Sequence, residues 1–244
     1  MKNLLVLLLL SLPLINQAQP SHQAFDVLLK KYVDSTGGVN YKAFKNDEQK
    51  LNDYLVDMTT NPPTGEWEDN EKLTYWINVY NALTIQLILK YYPVESIKDI
   101  GSSIQIPFIN TPWDIECFDI EDGKELSLNN IEHGIIRKDF EEPRIHFALV
   151  CAAVSCPKLM NEAYDASRLD AQLTIQTKEF LSNTTKNKIS SDRLELSKLF
   201  SWYGGDFRKN GTLVDFLNQY TTVQIDDKAK TSFMDYNWSL NEQK

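Results

Sequence analysis

The chain has 244 residues, of which 42% are hydrophobic and 24% charged, and this is the composition of an ordinary globular domain. Its formal net charge is −9, from 25 basic and 34 acidic residues, and no run of lysine or arginine interrupts that acidity. We therefore expect no nucleic-acid partner and no binding to an anionic membrane surface. Three cysteines are too few for a disulfide scaffold.

Residues 1–18 have the pattern of a secretory signal peptide. Lys2 gives a basic start, residues 4–15 are largely apolar, and Ala18 ends a small-residue cleavage site. The apolar stretch is shorter than the ~20 residues that a membrane-spanning helix needs. The sequence predicts an exported protein, periplasmic or extracellular, with no stable membrane insertion once the signal is removed, and one globular domain over residues 19–244.

Apolar residues at helical spacing predict three helices in the first hundred residues: 25–33, 44–58 and 70–92. The last is the longest and contains Trp76, Asn78 and Asn81. Asparagine is a poor residue within a helix, because its amide competes for backbone hydrogen bonds. Asn78 and Asn81 share one face, and we expect them to tie neighbouring loops to this helix; direct contact with a ligand is the alternative.

Residues 94–112 are irregular and are predicted to form a lid or a covering loop. A hairpin is predicted next, with strands over residues 113–120 and 125–128 and a turn at Glu121-Asp122-Gly123. Cys117 is interpreted as a small buried filler in the first of these strands.

Residues 129–137 begin like a helix, with Asn129 and Glu132 at the spacing of a capping box and with His133 and Arg137 four residues apart. In one interpretation Glu132 is a capping residue and His133 a half-buried imidazole with its hydrogen bonds satisfied. In the other, His133 carries a proton and is oriented by a carboxylate.

Residues 144–158 combine one histidine with two cysteines and are central to the predicted site. Apolar residues alternate around His146 as in a pleated strand, so we predict a strand inside a sheet. Pro157 is predicted to open a short helix with Ser155 or Cys156 at its cap. This places the Cys156 thiol at a helix N-terminus, where the helix dipole favours the thiolate.

The rest of the chain predicts a mixture of helices and strands. We expect a helix over 169–180 capped by Asp165, strand-like alternation over 188–196, an aromatic turn at 202–207 and a helix over 213–220. Residues 223–225 and 236–240 are expected to supply a terminal strand and loop. The predicted fold class is α+β, with N-terminal helices packed on a mostly antiparallel sheet in a single domain.

Several segments together resemble the domain-of-unknown-function 547 family, and the chain is similar to an exported bacterial member. These segments are residues 76–84 (WINVYNALT), 131–137 (IEHGIIR), 146–157 (HFALVCAAVSCP), 200–207 (FSWYGGDF) and 236–241 (YNWSLN). The resemblance implies no settled activity. Relatives in plants carry serine at the positions of Cys151 and Cys156, so it implies no obligatory thiol chemistry either.

The preferred hypothesis is a binding protein for a peptide, a glycan or an envelope protein. We expect its polar cleft to be formed by Asn78, Asn81, Glu132, His133 and Arg137. We expect the same lining to include Trp76, His146 and Cys151. In this hypothesis a disulfide between Cys151 and Cys156 staples the turn between them.

The alternative is a thiol-dependent hydrolase or acyl transferase. Cys156 is then the nucleophile, His133 the general base, and Glu132 or Asn78 the group that orients the base. His146 is a rival base. A zinc site from the two cysteines and one or both histidines lacks the second close ligand pair that such sites have, so we predict no metal and no cofactor.

Overall fold

The computed structural model describes residues 19–101, 111–120 and 124–243 of the chain. The predicted signal peptide, the middle of the predicted covering loop and the Glu121-Asp122-Gly123 turn lie outside these residues. Within the described ranges, no helix combines the length and the apolarity that crossing a membrane requires.

The N-terminal half is helical, as predicted. Its helices are α1 (Gln23–Tyr32), α2 (Tyr41–Phe44), α3 (Glu48–Thr60) and α4 (Asp69–Tyr91). A single 3₁₀ turn at Lys45–Asp47 joins α2 to α3, so the second predicted helix is divided in two. Helix α4 begins at a capping box between Glu68 and Glu71. From Leu73 to Ile85 each of its residues is buried, because other elements cover it on all sides.

Two small sheets complete the α+β fold. Strands β1 (Phe118–Ile120) and β2 (Lys124–Leu126) form an antiparallel hairpin. In the second sheet, β3 (Lys188–Ile189) pairs antiparallel with β4 (Arg193–Leu196), which pairs parallel with β5 (Lys230–Phe233). The strand predicted at 223–225 is wrong, since the last described strand lies at β5.

A short helical region follows the β1–β2 hairpin along the chain. Residues Asn130–Ile136 wind as a π-helix, which continues into α5 (Arg137–Asp139). The helix predicted over residues 129–137 is therefore present, with a wider winding than an α-helix. π-helical turns are rare and occur frequently at functional sites.

The C-terminal helices are α6 (Leu169–Ser182), α7 (Leu199–Trp202) and α8 (Leu213–Asn218). They enclose a second hydrophobic cluster, in which Phe147, Phe200 and Phe207 pack against one another. The larger cluster surrounds α4 and includes hairpin residues Phe118 and Leu126.

The strand predicted over residues 144–158 is wrong. Pro143–Phe147 is a 3₁₀ helix, and irregular backbone follows it. The residues from Ile145 to Val150 are all buried, so their apolar character reflects enclosure on every side and carries no strand periodicity. Their backbone groups are satisfied by side chains of neighbouring elements instead of by an adjacent strand.

Three smaller predictions are also corrected. No helix begins at Pro157, because the Lys158 carbonyl accepts a hydrogen bond from Gln176 of α6 and the backbone leaves helical geometry. Asp165 does not cap α6 but closes a turn by accepting from the backbone of Ser167. Cys117 is exposed and is no core filler.

Candidate functional site

A cleft of about 540 Å³ opens between the π-helix, the chain that follows the 3₁₀ helix at 143–147, and two C-terminal aromatic segments. Its lining consists of Tyr80, Trp113, Asn129, Glu132, His133, Arg137, His146, Leu149, Cys151, Cys156, Leu199, Trp202, Tyr203, Tyr236 and Trp238. Six of the nine predicted site residues are in this set. A larger depression of about 750 Å³ beside α1 includes none of the nine in its lining.

Glu132 is the buried acid of the cleft, with a relative exposure of 5%. It does not cap the helix, because its Oε2 accepts a hydrogen bond from the Tyr80 hydroxyl at 3.1 Å. Burial, and then the Glu132 charge, raise the pKa of both Tyr80 and Tyr203, so the two phenols keep their protons.

Asp206 joins two basic side chains at the side of the cleft. Its Oδ2 accepts from Nε2 of His146 at 2.8 Å and from Nε of Arg137 at 2.6 Å, and its Oδ1 accepts from Nη2 of Arg137 at 3.1 Å. Hydrogen bonding from His146, followed by Arg137, outweighs burial and lowers the pKa of Asp206. The carboxylate is thus ionised over the whole physiological range.

The two histidines of the cleft occupy different environments. His146 is buried and stacks on Tyr203 with a centroid distance of 3.9 Å; burial lowers its pKa despite the hydrogen bond to Asp206. His133 is exposed, and its Nδ1 accepts from Nη1 of Arg137 at 2.9 Å. Arg137 therefore bridges His133 to Asp206, and within the described residues no hydrogen bond links His133 to Glu132.

Cys151 and Cys156 lie together at the base of the cleft as free thiols. The Cys156 sulfur accepts a hydrogen bond from the Cys151 backbone N–H at 2.8 Å, and the two sulfurs are 2.9 Å apart. Burial acts to raise the pKa of Cys156, but the hydrogen bonds from Cys151 and the charge of Lys186 outweigh it and the pKa is lowered. Burial and the neighbouring sulfur raise the pKa of Cys151.

These contacts change both hypotheses for the cysteines. The structure contains two thiols where the binding hypothesis expected a disulfide staple. For the hydrolase hypothesis, no hydrogen bond in the described part of the chain joins Cys156 to His133 or His146. The pairing of nucleophile and base that the sequence suggested is therefore not formed.

Four aromatic side chains in the lining of the cleft pack together as an aromatic wall. Trp238 lies 5.7 Å from Trp113, 5.8 Å from Trp202 and 4.6 Å from Tyr236, between ring centroids. Trp202 is 47% exposed although it is large and apolar. Sequence reasoning did not assign these residues, or Asp206 and Tyr203, to the site. Apart from Trp113, these residues occur in the last two segments of the family resemblance, and that was the available signal.

Asn78 and Asn81 lie in the core, contrary to the predicted convergence on the cleft. The Asn78 amide exchanges hydrogen bonds with the backbone of Tyr164, both at 2.9 Å. Asn81 donates to the carbonyl of Ala148 and accepts from the N–H of Val150, both at 3.0 Å. The expectation that they tie loops to α4 is confirmed. Trp76 is also buried in the core, edge-on to Tyr75.

No group of three or more cysteine, histidine, aspartate or glutamate side chains is placed to hold a metal ion among the residues that the structure describes. The two cysteine sulfurs contact each other and Tyr236, and the imidazoles contact Arg137 and Asp206. The ligand set of the zinc hypothesis is thus not assembled.

Residues 64–181 match the family described as Protein of unknown function, DUF547. The matched span contains α4, the π-helix and both cleft cysteines, whereas the aromatic residues beyond position 200 follow it. Comparison with curated proteins and with solved structures gave no match.

Proposed function

The chain belongs to the DUF547 family of proteins of unknown function, and from that premise we propose that its cleft binds a peptide through an apolar anchor side chain. The observation that carries this proposal is an aromatic wall in a cleft whose polar groups are already paired with one another. Clefts of a few hundred Å³ with apolar linings and a few placed polar groups are the usual form of ligand sites.

The pairing of the polar groups favours an apolar anchor over a sugar. Glu132 accepts from the Tyr80 hydroxyl, and Asp206 accepts from Arg137 and His146. A glycan carries hydroxyl groups that need new partners when they leave water, and an unpaired polar group costs about 1–3 kcal/mol. A hydrophobic side chain needs no such partner, so it fits a cleft whose donors and acceptors are largely occupied.

The aromatic wall supplies the surface for that side chain. Trp202 and Trp238 are stacked with an interplanar angle of 27°, and Tyr236 packs against both. Tryptophan and tyrosine dominate the binding energy of many protein interfaces, because they bury a large apolar area at a low cost in conformational entropy. The acidic character of the chain, with a net charge of −9, favours neutral or basic peptides.

The proposal is tested by titrating the protein with a peptide library while following tryptophan fluorescence, since Trp113, Trp202 and Trp238 line the cleft. For a peptide that binds, Trp202→Ala should raise Kd at least ~10-fold, corresponding to about 1.4 kcal/mol. Trp67→Ala, which removes a tryptophan from the other depression, is the matched control and should leave Kd unchanged. Binding of neutral glycans with no binding of peptides would reject the proposal.

A thiol-dependent hydrolase or acyl transferase is a second candidate, favoured by one observation. The pKa of Cys156 is lowered through hydrogen bonds from Cys151, as a nucleophilic thiol requires. Hydrolysis of an aryl ester that disappears in Cys156→Ala and persists in Cys117→Ala would support it. Equal hydrolysis rates in wild type, Cys156→Ala and Cys117→Ala would reject this candidate.

We also propose that the chain is exported, with cleavage after Ala18. The support is the basic, apolar and small-residue pattern of residues 1–18. Mass spectrometry of protein expressed from the complete sequence should find Gln19 as the first residue in the exported fraction. Retention of Met1 in all of the protein would contradict export through this signal.

A further inference from the structure

We infer that Cys151 and Cys156 form a dithiol–disulfide exchange site, whose substrates are disulfides that reach the cleft. This activity goes beyond peptide binding and does not depend on it. The carrying observation is geometric: two free thiols lie 2.9 Å apart, sulfur to sulfur, and both line the same cleft.

The backbone between the thiols is built to hold them together. Ala152 has φ 56°, a left-handed conformation that alanine rarely adopts. Its carbonyl accepts from the backbone of Asn241, and the N–H of Val154 donates to Ser239 at 2.8 Å. The C-terminal segment thus fixes the turn from Cys151 to Cys156. Strained backbone of this kind persists where the surroundings enforce it, and it is concentrated at functional sites.

The two sulfurs have unequal roles. Cys151 is half-buried and accessible from the cleft, whereas Cys156 is only 3% exposed. The Cys156 sulfur accepts from both the N–H and the thiol of Cys151, so it is the better site for the negative charge. The Tyr236 hydroxyl lies 3.1 Å from the Cys151 sulfur and positions it. Cys151 is therefore the attacking thiol and Cys156 the resolving thiolate.

The exchange proceeds in two balanced steps. In the first step, Cys151 gives its proton to the Cys156 thiolate, and the Cys151 sulfur attacks one sulfur of the substrate disulfide. The S–S bond of the substrate breaks, and the departing substrate thiolate takes the proton from Cys156. In the second, the Cys156 thiolate attacks the Cys151 sulfur and releases the other substrate thiolate. The protein loses two electrons and gains one disulfide, and the substrate disulfide becomes two reduced sulfurs.

The test uses the full chain in its reduced form with glutathione disulfide as the probe. Of the three cysteines, wild type should lose two thiols together, keep one, and retain no glutathione. Cys156→Ser should trap one glutathione on Cys151, because the resolving thiolate is missing. Cys151→Ser should react at least ~10-fold more slowly, since only the buried thiol of the pair remains. Cys117→Ser is the control and should behave as wild type.

Glutathione accumulating on Cys117 of wild type, with Cys151 and Cys156 still reduced, would overturn the assignment. Peptide mapping of acid-quenched wild type decides the matter even if a variant fails to fold, because it must find the Cys151–Cys156 pair. Loss of exchange with intact peptide binding rejects the dithiol site alone. Intact exchange without peptide binding rejects the proposed peptide cleft alone.

Discussion

Replacing Asn81 by alanine should destabilise the protein without touching the cleft surface. The Asn81 side chain is 2% exposed and makes two hydrogen bonds of 3.0 Å, to the carbonyl of Ala148 and from the N–H of Val150. Alanine leaves both backbone groups buried and unpaired. At about 1–3 kcal/mol for each group, the loss in the free energy of unfolding is about 2–6 kcal/mol.

For a chain of this length, a loss of about 4 kcal/mol lowers Tm by about 8–16 °C. Urea unfolding followed by circular dichroism measures the free energy directly. Asn210→Ala is the matched control, because Asn210 is exposed, and it should stay within about 0.5 kcal/mol of wild type. A loss below about 1 kcal/mol for Asn81→Ala would show that water or another side chain replaces the amide, and the structural role assigned to Asn81 would be wrong.

Three further predictions concern titrating groups. Burial lowers the pKa of His22 to about 4, so the stability that its neutral form contributes is complete above pH 6.5 and is lost as the pH falls towards 4. In urea unfolding, His22→Gln should lose less free energy of unfolding over that pH interval than wild type does. An identical loss would contradict the prediction. Asp206→Asn removes a charge that raises the pKa of His146, so NMR titration should find that pKa still lower than in wild type, not higher. Lys186→Met removes a charge that lowers the pKa of Cys156, so thiolate absorbance should appear at higher pH, and an unchanged profile would exclude the effect.

The helical half of the fold was predictable because its apolar residues repeat with the period of the helix. Helix α4 is the clearest case, and its buried asparagines correctly indicated loops bound to it. Residues 144–158 were not predictable by the same means. A segment enclosed on every side is apolar whatever its backbone geometry, so alternation there does not distinguish a strand from a 3₁₀ helix.

The candidate site was predictable only where its members are close in sequence. Glu132, His133 and Arg137 share one helical segment, and Cys151 and Cys156 share one turn. Asp206 is 69 residues from Arg137, and only the tertiary fold brings it to the side chains of Arg137 and His146. No local spacing encodes such a contact, so the sequence did not predict that Asp206 binds Arg137, the residue that contacts His133.

The winding of the π-helix determines which side chains reach the cleft together. In an α-helix, residues five apart are separated by about 140° around the axis. Glu132 and Arg137 are five apart, yet both line the cleft, and the Arg137 N–H bonds back to the Glu132 carbonyl. Removing one residue from Asn130–Ile136 would let the helix return to the tighter winding and turn Arg137 by about 100°. The one additional residue in this turn therefore keeps the acidic side chain of Glu132 and the basic side chain of Arg137 on the same side of the helix.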